Sequence, residues 1–165
     1  MSSYVRDPAG GEAAMDAAVV DASSSSSSSS FASSSASSSN PGGIDMLVVD
    51  GAALFASGDL RACLDGAWNA TRAVVNLAFL PAGHGGRIVY LAPPPGVGEQ
   101  ADAARAGLEN LARTLSVEWA RHGITLVTIA LGDATTPGEA GTLTAYLASP
   151  AGAYFSGCLL DLRGV

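Results

Sequence analysis

Apolar residues alternate between two patterns after residue 40. Short runs rich in β-branched side chains occur at residues 46–49, 87–92, 124–130 and 158–162, each bounded by Gly, Pro or Asp. A continuous apolar run of four to eight residues is typical of a strand that is buried on both faces. The pattern therefore predicts four buried strands.

Helical periodicity separates these runs. Residues 60–80 and 101–121 repeat apolar side chains every three to four positions, and a shorter helix is predicted around residues 138–148. The first stripe contains Leu64, Ala67, Trp68, Thr71 and Val75, and the second Leu108, Leu111, Leu115 and Trp119. Strands separated by helices predict a parallel sheet, and thus a Rossmann-like α/β fold with helices on both faces.

The first 40 residues have a different character. Fourteen of the 17 residues from 23 to 39 are serine, and such a stretch buries too little apolar surface to offset the entropy of ordering. We expect residues 23–40 to be a flexible linker and residues 1–22 a separate segment with a possible short helix. The predicted α/β domain is residues 41–165.

Charge and cysteine content narrow the class of protein. The chain has a net charge of −7, with 8 basic and 15 acidic residues, which does not favour binding to nucleic acid. No apolar run reaches the length of a membrane span, and the first residues lack a signal-peptide pattern. Cys63 and Cys158 are isolated, as expected of reduced thiols that bind no metal. These features predict a cytoplasmic protein without a membrane anchor.

Four segments resemble the short-chain dehydrogenase/reductase family. Residues 44–48 (Ile-Asp-Met-Leu-Val) resemble the strand that leads to that family's Asn-Asn-Ala-Gly motif, and residues 85–89 (Gly-Gly-Arg-Ile-Val) the strand before its catalytic serine. Residues 106–124 resemble the helix of its Tyr-x-x-x-Lys pair, and residues 147–157 the segment before its last strand. The resemblance implies a member of this family from about residue 43 onward.

The resemblance also implies that the cofactor cradle is missing. In the family, a glycine-rich turn after the first strand holds the cofactor pyrophosphate at a helix N-terminus. No such turn precedes residue 43, and Val49-Asp-Gly-Ala52 stands in place of Asn-Asn-Ala-Gly. The first βαβ region is therefore expected to be absent, and the chain is expected to bind no cofactor. The alternative is degenerate binding of NAD or NADP.

The family's catalytic positions hold other residues here. Its helix asparagine corresponds to Cys63, and its serine to Ala92 or Pro93. Its tyrosine corresponds to Ala101, and its lysine, four residues later, to Arg105. Carbonyl reduction in this family requires a phenol that donates a proton, and alanine has none to give. The resemblance thus implies a chain that is inactive alone.

Several other polar residues are candidates for chemistry. Tyr90 is expected to pack its ring in the core, His84 to be exposed in a glycine-rich loop, and His122 to place its charge at a helix C-terminus. Arg105 has two interpretations that remain open. It either pairs with Glu109 one helical turn later, or contacts an anion or a second subunit.

Three functions follow from these observations. The first is a non-catalytic dehydrogenase-like subunit that assembles with itself or with an active relative. In the family, the two helices that resemble residues 60–80 and 101–121 pack against a second subunit. The expected interface residues are mostly small: Ala103, Ala106, Gly107, Asn110, Thr114 and Val117. The alternatives are an NAD(P)-dependent oxidoreductase and a small-molecule or regulatory binding module near residues 93–96.

Overall fold

The computed structural model describes residues 43–164. Four parallel strands form one sheet in the order β1-β2-β3-β4. Their bounds are β1 Met46–Asp50, β2 Gly86–Ala92, β3 Ile124–Ala130 and β4 Cys158–Asp161. The four predicted strands are confirmed to within one residue at each end. The expectations for residues 1–22 and 23–40 lie outside the described residues.

The helices connect successive strands. They are α1 Gly51–Leu54, α2 Leu60–Val74, α3 Leu80–Ala82, α4 Ala101–Glu118 and α5 Pro137–Ala148. A π-helical segment, Val75–Phe79, joins α2 to α3, so that helix continues from residue 60 to 82 as predicted. Short 3₁₀ turns, Ala120–His122 and Pro150–Tyr154, follow α4 and α5.

Local sequence signals explain where these helices begin and end. The Asp59 carboxylate accepts hydrogen bonds from two N–H groups in the first turn of α2. Thr136 and Glu139 form a capping box at the start of α5, which satisfies N–H groups that have no intrahelical partner. Gly83 and Gly123 adopt left-handed backbone conformations beyond the helical segments before β2 and β3, as a glycine can without steric strain.

The sheet separates two hydrophobic layers. Alternate strand residues such as Leu47 and Val49 join a cluster with α2 and α4 on one face. The intervening residues Met46 and Val48 join a second cluster with Leu147 of α5 on the other face. Because successive strand side chains point to opposite faces, strands buried on both faces appear as continuous apolar runs. The predicted α/β fold with helices on both faces is therefore confirmed.

The predicted helix stripes are partly corrected. Leu108 and Leu115 of α4 are buried as expected, whereas Trp68 of α2 is 38% exposed. Its neighbour Ala67 is fully buried, and adjacent helical residues point about 100° apart. The two residues therefore cannot both face the core centre. None of the helices within residues 43–164 combines the length and apolar character needed to cross a membrane.

Candidate functional site

The carboxyl ends of the four strands lie along one edge of the sheet because all the strands are parallel. In open parallel sheets, ligands bind in the crevice at this edge. The loops after Asp50, Ala92 and Ala130 are therefore where a functional site is expected, and the positions that resemble the family's catalytic residues lie in or near them.

The turn after β1 is closely packed. Asp50 caps α1, since its Oδ1 accepts a hydrogen bond from the Ala53 N–H at 3.0 Å. A Cβ on Gly51 would lie 2.5 Å from the Leu91 carbonyl oxygen and 2.7 Å from Leu108 Cδ1. Only glycine fits at this position, because the backbone itself is one of the obstructing groups. The turn that replaces Asn-Asn-Ala-Gly thus packs against β2 and α4.

All the positions aligned with catalytic residues are buried. Cys63 and Ala92 are 0% exposed, Ala101 is 1% exposed, and Arg105 is 9% exposed; Pro93 is buried as well. Cys63, Ala92 and Ala101 belong to one hydrophobic cluster. The structure therefore brings these three positions together, but as part of the core.

The Cys63 thiol is not activated. Its Sγ lies 3.7 Å from the Gly51 carbonyl oxygen, and burial raises its pKa to about 11. A thiolate is the reactive form of cysteine, and a raised pKa makes that form scarce near neutral pH. The prediction of an inert, buried thiol is consistent with this environment.

Phe55 is the residue at this site that the sequence analysis missed. It directly follows α1, is 2% exposed, and belongs to the same cluster as Cys63 and Ala101. Its Cε1 lies 3.2 Å from where a Cβ of Gly98 would be. The ring therefore packs against the loop that leads into α4. The only signal in the sequence was a large apolar residue just after a predicted strand.

Tyr90 is confirmed as a core residue. It is 0% exposed, and its hydroxyl oxygen lies 2.8 Å from Thr71 Oγ1, with which it shares a hydrogen bond. Burial raises the pKa of the Tyr90 phenol further above its ordinary value. This phenol therefore cannot replace the missing acid.

The loops after β2, β3 and β4 are connected. The Gly96 N–H donates to Asp133 Oδ1 at 3.0 Å. The Thr135 hydroxyl accepts from the Gly132 N–H at 2.8 Å and donates to the Leu162 carbonyl at 3.0 Å. A Cβ on Gly96 would lie 2.8 Å from Asp133 Oδ1. The loop expected to form a binding pocket is thus in close contact with the next loop at Gly96.

Arg105 does not pair with Glu109, and that interpretation is wrong. Arg105 Nη1 donates to Asp102 Oδ1 at 3.2 Å, and Glu109 is bound by Arg113 Nη2 at 2.7 Å. Arg105 Nε is buried and has no hydrogen-bond partner. The reason is rotational, since Arg105 lies on the buried side of α4 and Arg113 on its exposed side.

The histidines do not form a catalytic or metal site. His84 is exposed, and its Nε2 lies 3.6 Å from Asp45 Oδ1. His122 is exposed after α4 and accepts a hydrogen bond from Arg121 Nε at 3.0 Å. Among residues 43–164, no three His, Cys, Asp or Glu side chains are grouped in a way that could hold a metal ion.

The predicted interface residues do not all share one environment. Ala103, Ala106, Asn110, Thr114 and Val117 are exposed on α4. Gly107 is partly buried, and a Cβ there would lie 2.7 Å from Leu64 Cδ2 of α2. The close approach at Gly107 is therefore made within the chain, which corrects its assignment to the predicted interface.

The described residues do not fit a nicotinamide cofactor. The turn after β1 has no space beside Gly51, and the position aligned with tyrosine is a buried alanine. Phe55 packs where the loop enters α4. An open groove does exist between α5 and the residue after β4, lined by Thr136, Gly138, Glu139, Thr142, Leu143, Tyr146 and Leu162. It contains none of the positions aligned with catalysis.

Sequence comparison alone does not place the chain. No protein-family model matches it, and no curated protein has a significant match. The likeness to solved structures is one of fold, at identities of 25% or less in the three described next.

Three solved structures illustrate the likeness. An acetoin dehydrogenase from Enterobacter cloacae superposes with a TM-score of 0.62 at 22% identity, over 74% of this chain and 63% of its own. A hydroxysteroid dehydrogenase from Escherichia coli has a TM-score of 0.55 at 18% identity, over 74% and 65%. A short chain dehydrogenase from Mycobacterium smegmatis has a TM-score of 0.57 at 25% identity, over 64% and 49%.

The match is partial in these structures as well as in this chain. The chain spans 63% of the length of the Enterobacter enzyme and about half that of the Mycobacterium enzyme. The order of four parallel strands with helices on both faces is the feature observed here. Over the matched residues, the chain therefore has the Rossmann-like fold of the short-chain dehydrogenases.

Proposed function

We propose that this chain is a truncated member of the short-chain dehydrogenase/reductase family that serves as a non-catalytic subunit. The observation that carries the proposal is the burial of Cys63, Pro93, Ala101 and Arg105, the positions aligned with the family's catalytic residues. Arg105 is the only ionisable cation among them, and none offers the phenol or hydroxyl that carbonyl reduction needs.

The packing around these positions supports the same conclusion. Ala101 is in the hydrophobic cluster that includes Phe55 and Cys63. A catalytic proton donor must reach the substrate directly or through a water molecule. Side chains that are sealed in the core cannot do so without local unfolding.

The exposed face of α4 supports assembly. Val117 is 76% exposed, and Ala103, Ala106, Asn110 and Thr114 leave a low, mostly uncharged surface around it. Small side chains let helices approach closely. The partner is a second copy of this chain or an active relative, and we place the assembly in the cytoplasm without a role in nucleic-acid binding.

An NAD(P)-dependent oxidoreductase is the second candidate. The observation that favours it is the fold likeness to proteins described as dehydrogenases, although a shared fold does not establish a shared reaction. The third candidate, a binding module near residues 93–96, is weakened because Pro93 is buried and Gly96 contacts Asp133 closely.

Titration with nicotinamide cofactors separates the first two candidates. We expect no saturable binding of NADH or NADPH to the full chain at micromolar concentrations by calorimetry, because the described residues offer no room beside Gly51. The same sample is examined by light scattering for assembly. Saturable micromolar binding by the chain alone would establish the oxidoreductase interpretation instead.

A further inference from the structure

A buried guanidinium near the start of α4 is only partly hydrogen-bonded. Arg105 is 9% exposed, and Nη1 donates to Asp102 Oδ1 at 3.2 Å. Nε is out of contact with solvent and has no partner. A buried charged donor without an acceptor is destabilising, because it loses its hydration without replacement. The site therefore lacks an oxygen acceptor that this arginine requires.

The present partner is held weakly. The Asp102 side chain is 87% exposed, and ion pairs with a well-solvated carboxylate contribute little. Of the guanidinium nitrogens, only Nη1 is hydrogen-bonded to a residue between 43 and 164. Nε and Nη2 form one edge of the guanidinium, and such an edge presents two parallel N–H groups that match an oxyanion.

The helix itself adds to the positive potential. Because Nη1 reaches Asp102 in the first turn, the guanidinium lies beside the N-terminus of the 18-residue helix α4. Gln100, the N-cap residue, makes no side-chain hydrogen bond to that turn. Free N–H groups and the helix dipole favour an anion there. The nearby Asp161 carboxylate interacts with Arg105 but is paired with Arg163.

We propose that Arg105 and the N-terminus of α4 form a binding site for a small oxyanion, a phosphate or a carboxylate group. The oxyanion accepts hydrogen bonds from Nε–H and Nη2–H and displaces the Asp102 carboxylate. Asp102 has room to move, since it is already largely in solvent. The inference is independent of the proposed function, because it requires neither a cofactor nor a second subunit.

The arginine side chains provide a direct measurement. The chain has eight basic residues and all of them are arginine, so its ¹⁵N-labelled form gives few Nε–Hε signals, and Arg105→Lys assigns the one from Arg105. Inorganic phosphate and acetate are titrated separately into the full chain at constant ionic strength. We expect saturable movement of the Arg105 signal, and the more responsive probe identifies a phosphate or a carboxylate site.

Two variants and one control test the geometry. Asp102→Asn should tighten binding by at least about threefold, because it removes the competing charge. Arg105→Lys should weaken it by about tenfold, because the two-pronged contact is lost. Arg113→Lys changes an exposed arginine of the same helix, bound to Glu109, and should leave binding unchanged.

Four results would overturn the site. They are parallel movement of all arginine signals, no saturation with either probe, equal affinity in Asp102→Asn, or full affinity in Arg105→Lys. If Arg105→Lys does not fold, the comparison between the natural chain and Asp102→Asn still decides the question. Movement of the Arg105 signal that follows protein concentration and ignores both ions would show a carboxylate of a second chain and would also reject the proposal.

Discussion

Glu109 shows how residue-scale reasoning goes wrong on a helix. It has an arginine four positions before it and another four positions after it, and both spacings allow an ion pair. The structure selects Arg113, which agrees with the preference for a carboxylate N-terminal to its basic partner. The sequence could have favoured this pair. It could not show that Arg105 turns toward the core, because that depends on how α4 rests on the sheet.

The two cysteines should differ in reactivity. Burial raises the pKa of both thiols, to about 11 for Cys63, but Cys158 is only half-buried. At pH 8, we expect a thiol reagent to label Cys158 well before Cys63, measured by mass spectrometry over time. The raised pKa means that Cys63 contributes stability below the ordinary thiol pKa and loses that contribution as the pH rises toward 11.

The variant Cys158→Ser isolates the buried thiol. Its remaining cysteine should react only after addition of a denaturant, because labelling requires the core to open. Equal labelling rates for the two thiols in the folded chain would show that Cys63 is accessible, and the argument for a sealed site would fail with it.

At the scale of elements, the helix from residue 60 to 82 is matched to the strand that follows it. Phe79 ends the π-helical segment and is 1% exposed. A Cβ on Gly86 of β2 would lie 2.4 Å from its ring. The glycine cluster at residues 83–86 ends the helix, as the sequence predicted, and Gly86 also makes space for this ring. Only the second role required the structure.

Gly86→Ala should therefore destabilise the fold. The new methyl group meets the buried Phe79 ring, and overpacking of this kind costs about 1–3 kcal/mol. The matched control is Gly141→Ala in α5, where a Cβ would meet no atom within 4 Å. That change should stabilise the chain by about 0.4–1 kcal/mol, because alanine loses less entropy than glycine in a helix.

Denaturant unfolding of the two variants measures both effects. The two changes in the free energy of unfolding should have opposite signs. A Gly86→Ala variant as stable as the natural chain would mean that Phe79 can move aside, and that its packing does not fix the end of this helix.

At the scale of the whole molecule, the exposed surface of α4 is expected to carry assembly. Thr114→Arg should weaken association by at least about a hundredfold, because it buries a charge without a partner at the contact. Light scattering and co-purification with a dehydrogenase-like partner measure the effect. Thr114 is preferable to Gly107 for this test, since Gly107 packs against Leu64 within the chain.

The control applies the same substitution on the other side of the sheet. Thr142 is exposed on α5, so Thr142→Arg should leave association and folding unchanged. Two outcomes would reject an interface on α4: a natural chain that is monomeric at high concentration, or equal association of the two variants. In either case the chain would be a free-standing domain with the same fold.

The sequence by itself determined the elements and the fold class. Continuous apolar runs gave the four strands, and periodic stripes with caps such as Asp59 and Thr136 gave the helices. These features are local, because hydrogen-bond geometry and side-chain period act over a few residues. Connections through helices then leave a parallel sheet as the consistent arrangement. The absence of a phenol at residue 101 was likewise visible in the sequence.

Tertiary structure alone decided the state of the site. Contacts of Phe55 with Gly98 and of Gly96 with Asp133 join residues 37 to 43 positions apart in the chain. Such contacts depend on how strand ends meet at one edge of the sheet, and no local pattern encodes them. The same packing buried Arg105 with its Nε unpartnered. What the sequence showed as missing catalytic residues became, through packing, a closed core beside one unsatisfied cation.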